Sequence, residues 1–318
     1  MTDETLRAGA RIAVIVPCYN EEAAIATVVR DFRAALPQAA IYVYDNNSKD
    51  ETAARAREAG AVVRSELRQG KGNVVRRMFA DVEADVYVLV DGDDTYDASA
   101  APALIGRLVE EGLDIVTGQR VATGQAAYRA GHVLGNRLLT GLTAMMFNVK
   151  LNDMLSGYRI MSRRFVKSFP FTAEGFGIET ELTVHAVRLL MPMIEVQTRY
   201  KERPEGSVSK LNTYRDGFRI LFTIAALVRE ERPLVFFTTI FLLLFVFSTA
   251  LGTPVVIDYF HTGLVPRLPT ALVAVGAMVL AFLALASGLI LDTVTRGRWE
   301  EKRMAYLAIP GPQDLKLP

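Results

Sequence analysis

Cysteine is nearly missing from this sequence: 318 residues contain one, Cys18. A disulfide framework is thereby excluded, and the composition suits a reducing compartment. An excess of basic charge is also missing, because 36 Lys and Arg face 35 Asp and Glu. Nucleic-acid binders carry such an excess as an electrostatic footprint, so no nucleic-acid partner is expected. Histidine is scarce at three residues. His132 and His185 lie in helical stretches and His261 in a short loop, and all three read as structural. Residues 1–11 are charged without an apolar core, so no signal peptide is expected. Internal repeats and low-complexity tracts are absent as well.

Apolar residues are abundant instead, at 51% beside 22% charged, with a mean hydropathy of +0.21. They are unevenly spread. Leu234–Ile257 and Leu268–Leu291 are uncharged runs, each longer than the roughly 20 residues that cross a bilayer as a helix. Both are apolar on every face, which favours a spanning hairpin over buried core helices. Arg215, Arg219, Arg229 and Arg232 precede the first run, and Arg296, Arg298, Lys302 and Arg303 follow the second. The loop between them, 258–267, has one basic residue. Excess positive charge on cytoplasmic flanks then places both termini inside and the loop outside. Within Tyr214–Arg229, Phe218, Leu221, Phe222, Ala225 and Val228 recur at helical spacing among arginines. This segment reads equally as an interfacial helix on the inner leaflet and as a helix packed on the preceding domain.

The remainder alternates. Ile12–Val16, Ile41–Tyr44 and Ala61–Val63 read as strands, Val86–Val90 as a strand of buried type, and Glu21–Ala35, Asp50–Ala59 and Gly70–Val82 as helices. The class is α/β with a mainly parallel sheet, whose ligands gather at the carboxyl ends of the strands. Polar residues follow the strands in turn: Pro17-Cys18-Tyr19-Asn20-Glu21, Asp45-Asn46-Asn47-Ser48-Lys49-Asp50, and Asp91-Gly92-Asp93-Asp94. The second group also reads as a turn in which Ser48 or Asp50 caps a helix. Asp91, Asp93, Asp94 and Asp97 crowd a loop behind a buried strand, where their repulsion calls for a cation. Hard oxygen donors there suit Mg²⁺ or Mn²⁺ bridging substrate phosphates.

This order of motifs resembles a family 2 glycosyltransferase of the nucleotide-diphosphosugar (GT-A) type. Gln69-Gly70-Lys71-Gly72, Gly118-Gln119-Arg120, Asp153 to Arg159, and Arg203 to Lys210 extend the likeness to the polyprenyl-phosphate glycosyltransferases. That branch includes the dolichol-phosphate mannose and glucose synthases and bacterial enzymes with a C-terminal membrane hairpin. The resemblance implies that Pro17, Tyr19, Glu21, Asp45, Asn46, Lys71 and Asp91 bind the nucleotide sugar, and that Asp91 and Asp93 hold the metal. It implies further that Arg120, Arg129, Arg203 and Lys210 surround the acceptor phosphate. Asp93 and Asp153 would be catalytic, Asp153 as a base or an acid that orients the acceptor. Lys210 and Arg203 also read as ordinary positive-inside anchors, and Asp153 as a turn cap. Asn46 departs from a family acid and leaves the choice of uracil or guanine open. Thr95 stands where related synthases place a glutamine ligand, which leaves the third metal ligand to water or Asp94.

The expected organisation is a glycosyltransferase domain over 1–210, an interfacial helix over 211–232, a hairpin over 233–292 and a cytoplasmic tail over 293–318. The expected reaction transfers a sugar with inversion from a nucleotide diphosphate to undecaprenyl or dolichyl phosphate at the cytoplasmic face of the inner membrane. A phosphate acceptor is largely ionised at neutral pH, with a second pKa near ~6, so it needs cations more than a strong base. Self-association is also expected from the branch. The alternatives are another membrane acceptor, such as a polysaccharide, or a non-catalytic scaffold for sugar-lipid translocation. A processive synthase would carry Gln-x-x-Arg-Trp, whereas here Arg298-Trp299 occurs after the last apolar run without the glutamine.

Overall fold

The computed structural model describes residues 9–122, 140, 141, 143–145, 147, 149–170, 177–203 and 225–317. The chain divides into two compact units, Met1–Ile220 with Lys302–Pro318, and Leu221–Glu301.

The first unit is built on a seven-stranded sheet in the order β3-β2-β1-β4-β6-β5-β7. The strands are β1 (Ile12–Cys18), β2 (Ala40–Asp45), β3 (Val62–Ser65), β4 (Val86–Leu89), β5 (Ile115–Ala122), β6 (Arg159–Ser162) and β7 (Met193–Tyr200). Only β6 runs against the others, antiparallel to both β4 and β5. All seven residues of β1 are buried, as a continuous apolar run should be in a parallel strand covered on both faces. The cover comes from α1 (Ile25–Ala35), α2 (Thr52–Glu58), α3 (Lys71–Asp81), α4 (Ala101–Glu110), α5 (Arg163–Ser168) and α6 (Ile178–Arg188). Helix α1 buries Ile25, Val28, Val29 and Phe32, one stripe at 3.6-residue spacing.

The expected alternation is present from β1 to β4, with boundaries within two residues except at the start of α1. Helix α1 begins at Ile25 instead of Glu21, because Asn20 is left-handed (φ 51°) and is tied to the loop after β2. Its backbone N–H donates to Ser48 Oγ at 2.9 Å, and its Oδ1 accepts from the Lys49 N–H at 2.8 Å.

Register brings five loops to one edge. Cys18 pairs with Asp45, while Arg159 of β6 pairs with both Leu89 and Thr117. Reversal of β6 therefore sets the loop before it beside the loops that follow β1, β2, β4 and β5.

The end of the chain also belongs to this unit. Asp114, fully buried, accepts from Ser162 Oγ at 2.7 Å, pairs with Arg164 Nε at 2.5 Å and accepts from Tyr306 Oη at 2.8 Å. The Arg164 guanidinium lies 4.8 Å from the centre of the Tyr306 ring. Leu315 packs against the core, and the Lys316 carbonyl accepts from the Ala10 N–H at 2.6 Å. The segment expected to be a tail is thus partly domain structure.

The second unit contains α7 (Pro233–Thr262) and α8 (Leu268–Leu307) as far as Glu301, the last residues of α8 belonging to the first unit; both helices are long and apolar enough to cross a membrane. Helix α8 continues past Leu291 because no proline intervenes before Pro310 and Asp292 pairs with Arg296 one turn on. Within the pair, Ser248 Oγ donates to the Ala274 carbonyl at 2.6 Å and Ala281 is fully buried. Leu243, Val246, Leu272, Val275 and Leu283 are exposed. Small residues inside and large apolar residues outside is the pattern of helices packed in lipid. Of the expected interfacial helix, residues 225–231 are helical and 211–224 lie outside the described residues.

Candidate active site

The strand edge carries a polar cluster assembled from separate loops. Asn20, Glu21 and Glu22 donate backbone N–H groups to Ser48, Thr52 and Asp50, which locks the loops after β1 and β2 together. Pro17 is buried at the end of β1 and Tyr19 is half-buried beside it. Asp45 is buried and accepts from the Ser48 N–H, whereas its Oδ1 has no hydrogen-bond partner among the described residues. A buried carboxylate oxygen left unpaired is costly and marks a place for an external donor. Asn46 differs. Its amide donates to the carbonyls of Glu66 and Arg68, both at 2.8 Å, and its Oδ1 accepts from the Gly70 N–H at 2.7 Å. The amide is spent on holding the chain that leads to α3.

Gly70 (φ +125°) turns that chain into α3, a conformation open mainly to glycine, and Lys71 follows at the helix start. Its Nζ lies 2.5 Å from both Asp91 Oδ1 and Glu179 Oε1. Burial opposes the lysine charge, yet the two carboxylates carry its pKa above the ordinary value. Burial pushes the Asp91 carboxyl up against the pull of Lys71, and nearby Asp93 adds to the rise. Desolvation acts the same way on half-buried Glu179, but Lys71 holds it below the usual range.

Asp93 is 4% exposed. Thr95 Oγ1 donates to its Oδ1 at 2.6 Å, and an Arg203 Nη stands 2.7 Å from its Oδ2. Thr95 therefore orients the aspartate. Asp94 is left-handed (φ 56°) and faces Lys201 at 3.5 Å. Among the described residues, no group of three or more His, Cys, Asp or Glu could hold a metal ion. The two hard carboxylates Asp91 and Asp93 fit Mg²⁺ or Mn²⁺ as a partial set, completed by diphosphate oxygens and water.

The loop before β6 closes on this pair. The Gly157 N–H donates to Tyr96 Oη at 2.8 Å, and a Cβ at Gly157 would strike the Asp91 carboxylate. Asp153 accepts from Arg120 three times, through the backbone N–H at 3.1 Å, Nε at 2.8 Å and Nη2 at 2.7 Å. This bidentate grip fixes the guanidinium plane, which also lies over the Tyr200 ring at 5.6 Å. The geometry suits an acid that orients an arginine more than a free base. Arg159 is 1% exposed and bonds to the carbonyls of Met154, Ser156 and Glu179 and to Thr183 Oγ1. It joins the loop before β6 to α6.

Of the expected site residues, the structure brings together Asp91, Asp93, Lys71 and Arg203 directly, and holds Arg120 with Asp153. Pro17, Tyr19, Glu21, Asp45 and Asn46 line the same edge. Arg129 and Lys210 lie outside the described residues. Glu179 and Tyr96 escaped the sequence reading, which named Thr95 and Arg159 but gave neither the orienting role seen here. Glu179 is 108 residues from Lys71, and only the fold makes them neighbours.

The sequence profile described as glycosyl transferase family 2 matches residues 13–169. Glycosyltransferase AglJ of Haloferax volcanii is 34% identical over 232 residues, 72% of this chain and 76% of that protein. The chain belongs to glycosyl transferase family 2. A dolichyl-phosphate hexose transferase of the same archaeon is 29% identical over 70% of this chain and 95% of its own length. Among solved structures, glucosyl-3-phosphoglycerate synthase from Mycobacterium tuberculosis, in complex with Mn²⁺, UDP and glucosyl-3-phosphoglycerate, is similar. Its TM-score is 0.57 at 27% identity, covering 71% of this chain and 81% of that one. The protein is a glycosyltransferase with a GT-A-like sheet and two candidate membrane spans.

Proposed function

We propose that this glycosyltransferase moves a sugar, with inversion, from a nucleotide diphosphate to a polyprenyl phosphate at the cytoplasmic face of the membrane. The observation that carries the reading is the placement of Arg120 and Arg203 at the same strand edge as Asp91 and Asp93, in a chain with two membrane-length apolar helices. The dolichyl-phosphate hexose transferase relative supports the acceptor class. A positive-inside arrangement of the flanking arginines and lysines supports the cytoplasmic face.

Asp45, with an unpaired buried oxygen, accepts a hydrogen bond from the base, and the mycobacterial neighbour with UDP-glucose supports uracil over guanine. Asp91 and Asp93 would hold Mn²⁺ or Mg²⁺ on the diphosphate, where it supplies Lewis-acid stabilisation of the leaving group. Lys71 contributes a further positive charge, kept in place by Glu179. Arg120, oriented by Asp153, binds the acceptor phosphate together with Arg203. Arg129 and Lys210 join them by family resemblance. The phosphate oxygen attacks the anomeric carbon from the face opposite the departing nucleotide. It arrives ionised, so the transfer needs no histidine base.

The test is transfer from radiolabelled UDP- and GDP-sugars to undecaprenyl phosphate in detergent, with Mn²⁺, Mg²⁺ or chelator. Labelled lipid from one UDP-sugar, lost with chelator, is the expected result. A protein that binds UDP yet labels no lipid phosphate across the panel would overturn the acceptor assignment.

A further inference from the structure

Both carboxylates of the Asp91/Asp93 pair are met by cations, but the two cations are held differently. Lys71 has a second carboxylate, Glu179 at 2.5 Å, and can keep it while Asp91 turns to a metal. Arg203 reaches Asp93 from the solvent side: the arginine side chain is 34% exposed and the aspartate side chain 6%. Its Nη stands 2.7 Å from Asp93 Oδ2, a position from which a divalent ion on that oxygen would repel it. The backbone nearby is fixed, because the Lys201 N–H donates to the Thr95 carbonyl at 2.8 Å and Lys201 Nζ faces Asp94 at 3.5 Å. A change of partner needs the Arg203 side chain to swing, two residues beyond this anchor.

We infer that Arg203 is an exchangeable counter-ion. It neutralises buried Asp93 before the donor arrives, and the metal–nucleotide complex displaces it toward the phosphate monoester of the acceptor. The inference rests on the metal and acceptor reading above and adds to it a binding order, donor before acceptor. It also adds a coupling: a phosphate that holds Arg203 away from Asp93 must tighten the metal by the same factor as the metal tightens the phosphate.

The experiment measures Mn²⁺ binding to the full-length protein in detergent, in the presence of UDP, from the electron paramagnetic resonance signal of free Mn²⁺. Loss of one competing ion pair in Arg203→Gln should tighten Mn²⁺ by about threefold to tenfold. Saturating farnesyl phosphate should tighten Mn²⁺ on the unaltered protein but not on Arg203→Gln. A parallel arm with inorganic phosphate tells whether the phosphate charge alone or the lipid-linked group produces the coupling. Arg203→Lys, which keeps a charge but loses the planar fork, should fall between and carries the test if the glutamine variant does not fold. Unchanged or weaker Mn²⁺ binding in Arg203→Gln, with binding abolished in Asp93→Asn, would overturn the exchange and leave the metal site standing. Mn²⁺ binding retained in Asp93→Asn would remove the metal assignment and the exchange with it.

Discussion

Asn46 shows how a side chain can sit in a binding loop and still do structural work. Its two donated hydrogen bonds and one accepted bond require an amide, and a carboxylate there would face two carbonyl oxygens. Asn46→Asp should therefore destabilise the domain by about 2–3 kcal/mol, read as a fall in thermal midpoint. The ratio of UDP to GDP affinity should stay unchanged, since Asp45 is the residue with an oxygen to spare. Asp153→Asn keeps the shape but weakens the grip on Arg120. Its kcat/KM for the lipid phosphate should fall about 10- to 100-fold while the KM for nucleotide sugar holds. The sequence marks Asp45, Asp91 and Asp93 because they follow strands. It could not assign Asn46 or Asp153, because the partners that define them, Gly70 and Arg120, lie 24 and 33 positions away.

At the scale of elements, reversed strand β6 decides whether a site forms. It delivers Gly157 against Asp91 and Asp153 against Arg120, so the Asp91/Asp93 pair and the Arg120–Asp153 pair share one wall. Gly157→Ala should push the Asp91 carboxylate aside and weaken Mn²⁺ binding at least about tenfold, with little change in thermal midpoint. Mn²⁺ titration of the variant checks this. Most strands and helices from β1 to β4 were legible because they are simple runs or stripes of buried apolar residues, whereas β3 is a largely exposed edge strand. β6 was not legible: it has four residues, Arg159 to Ser162, and its first is a buried arginine satisfied by carbonyls. No periodicity marks such a segment, and its direction follows from pairing with β4 and β5.

For the whole molecule, acid stability and topology are the testable properties. His185 is 3% exposed, edge-on to Phe165 and Phe169, and burial lowers its pKa to about 3. Between that value and an unfolded pKa near 6.5, the unfolded chain binds the extra proton, so stability is lost as pH falls through this window. From pH 7 to pH 5 the loss from His185 should be about 2 kcal/mol, and thermal unfolding of His185→Phe should show a shallower acid slope. Because Cys18 is buried, Val265→Cys would offer the one accessible thiol among the described residues. A membrane-impermeant maleimide should label it on intact spheroplasts, which checks that the α7–α8 loop is outside.

The docking of Tyr306, Leu315 and Lys316 against residues near Ala10, Asp114 and Arg164 bears on how the protein is made. Lys302–Pro318 leave the ribosome after both apolar helices, yet they belong to the unit that begins before them. Until Tyr306 emerges, the buried Asp114 carboxylate has Ser162 and Arg164 but not the tyrosine hydroxyl. A chain truncated before Tyr306 would leave this seam open, with Ala10 lacking its carbonyl partner and the Arg164 guanidinium lacking the Tyr306 ring.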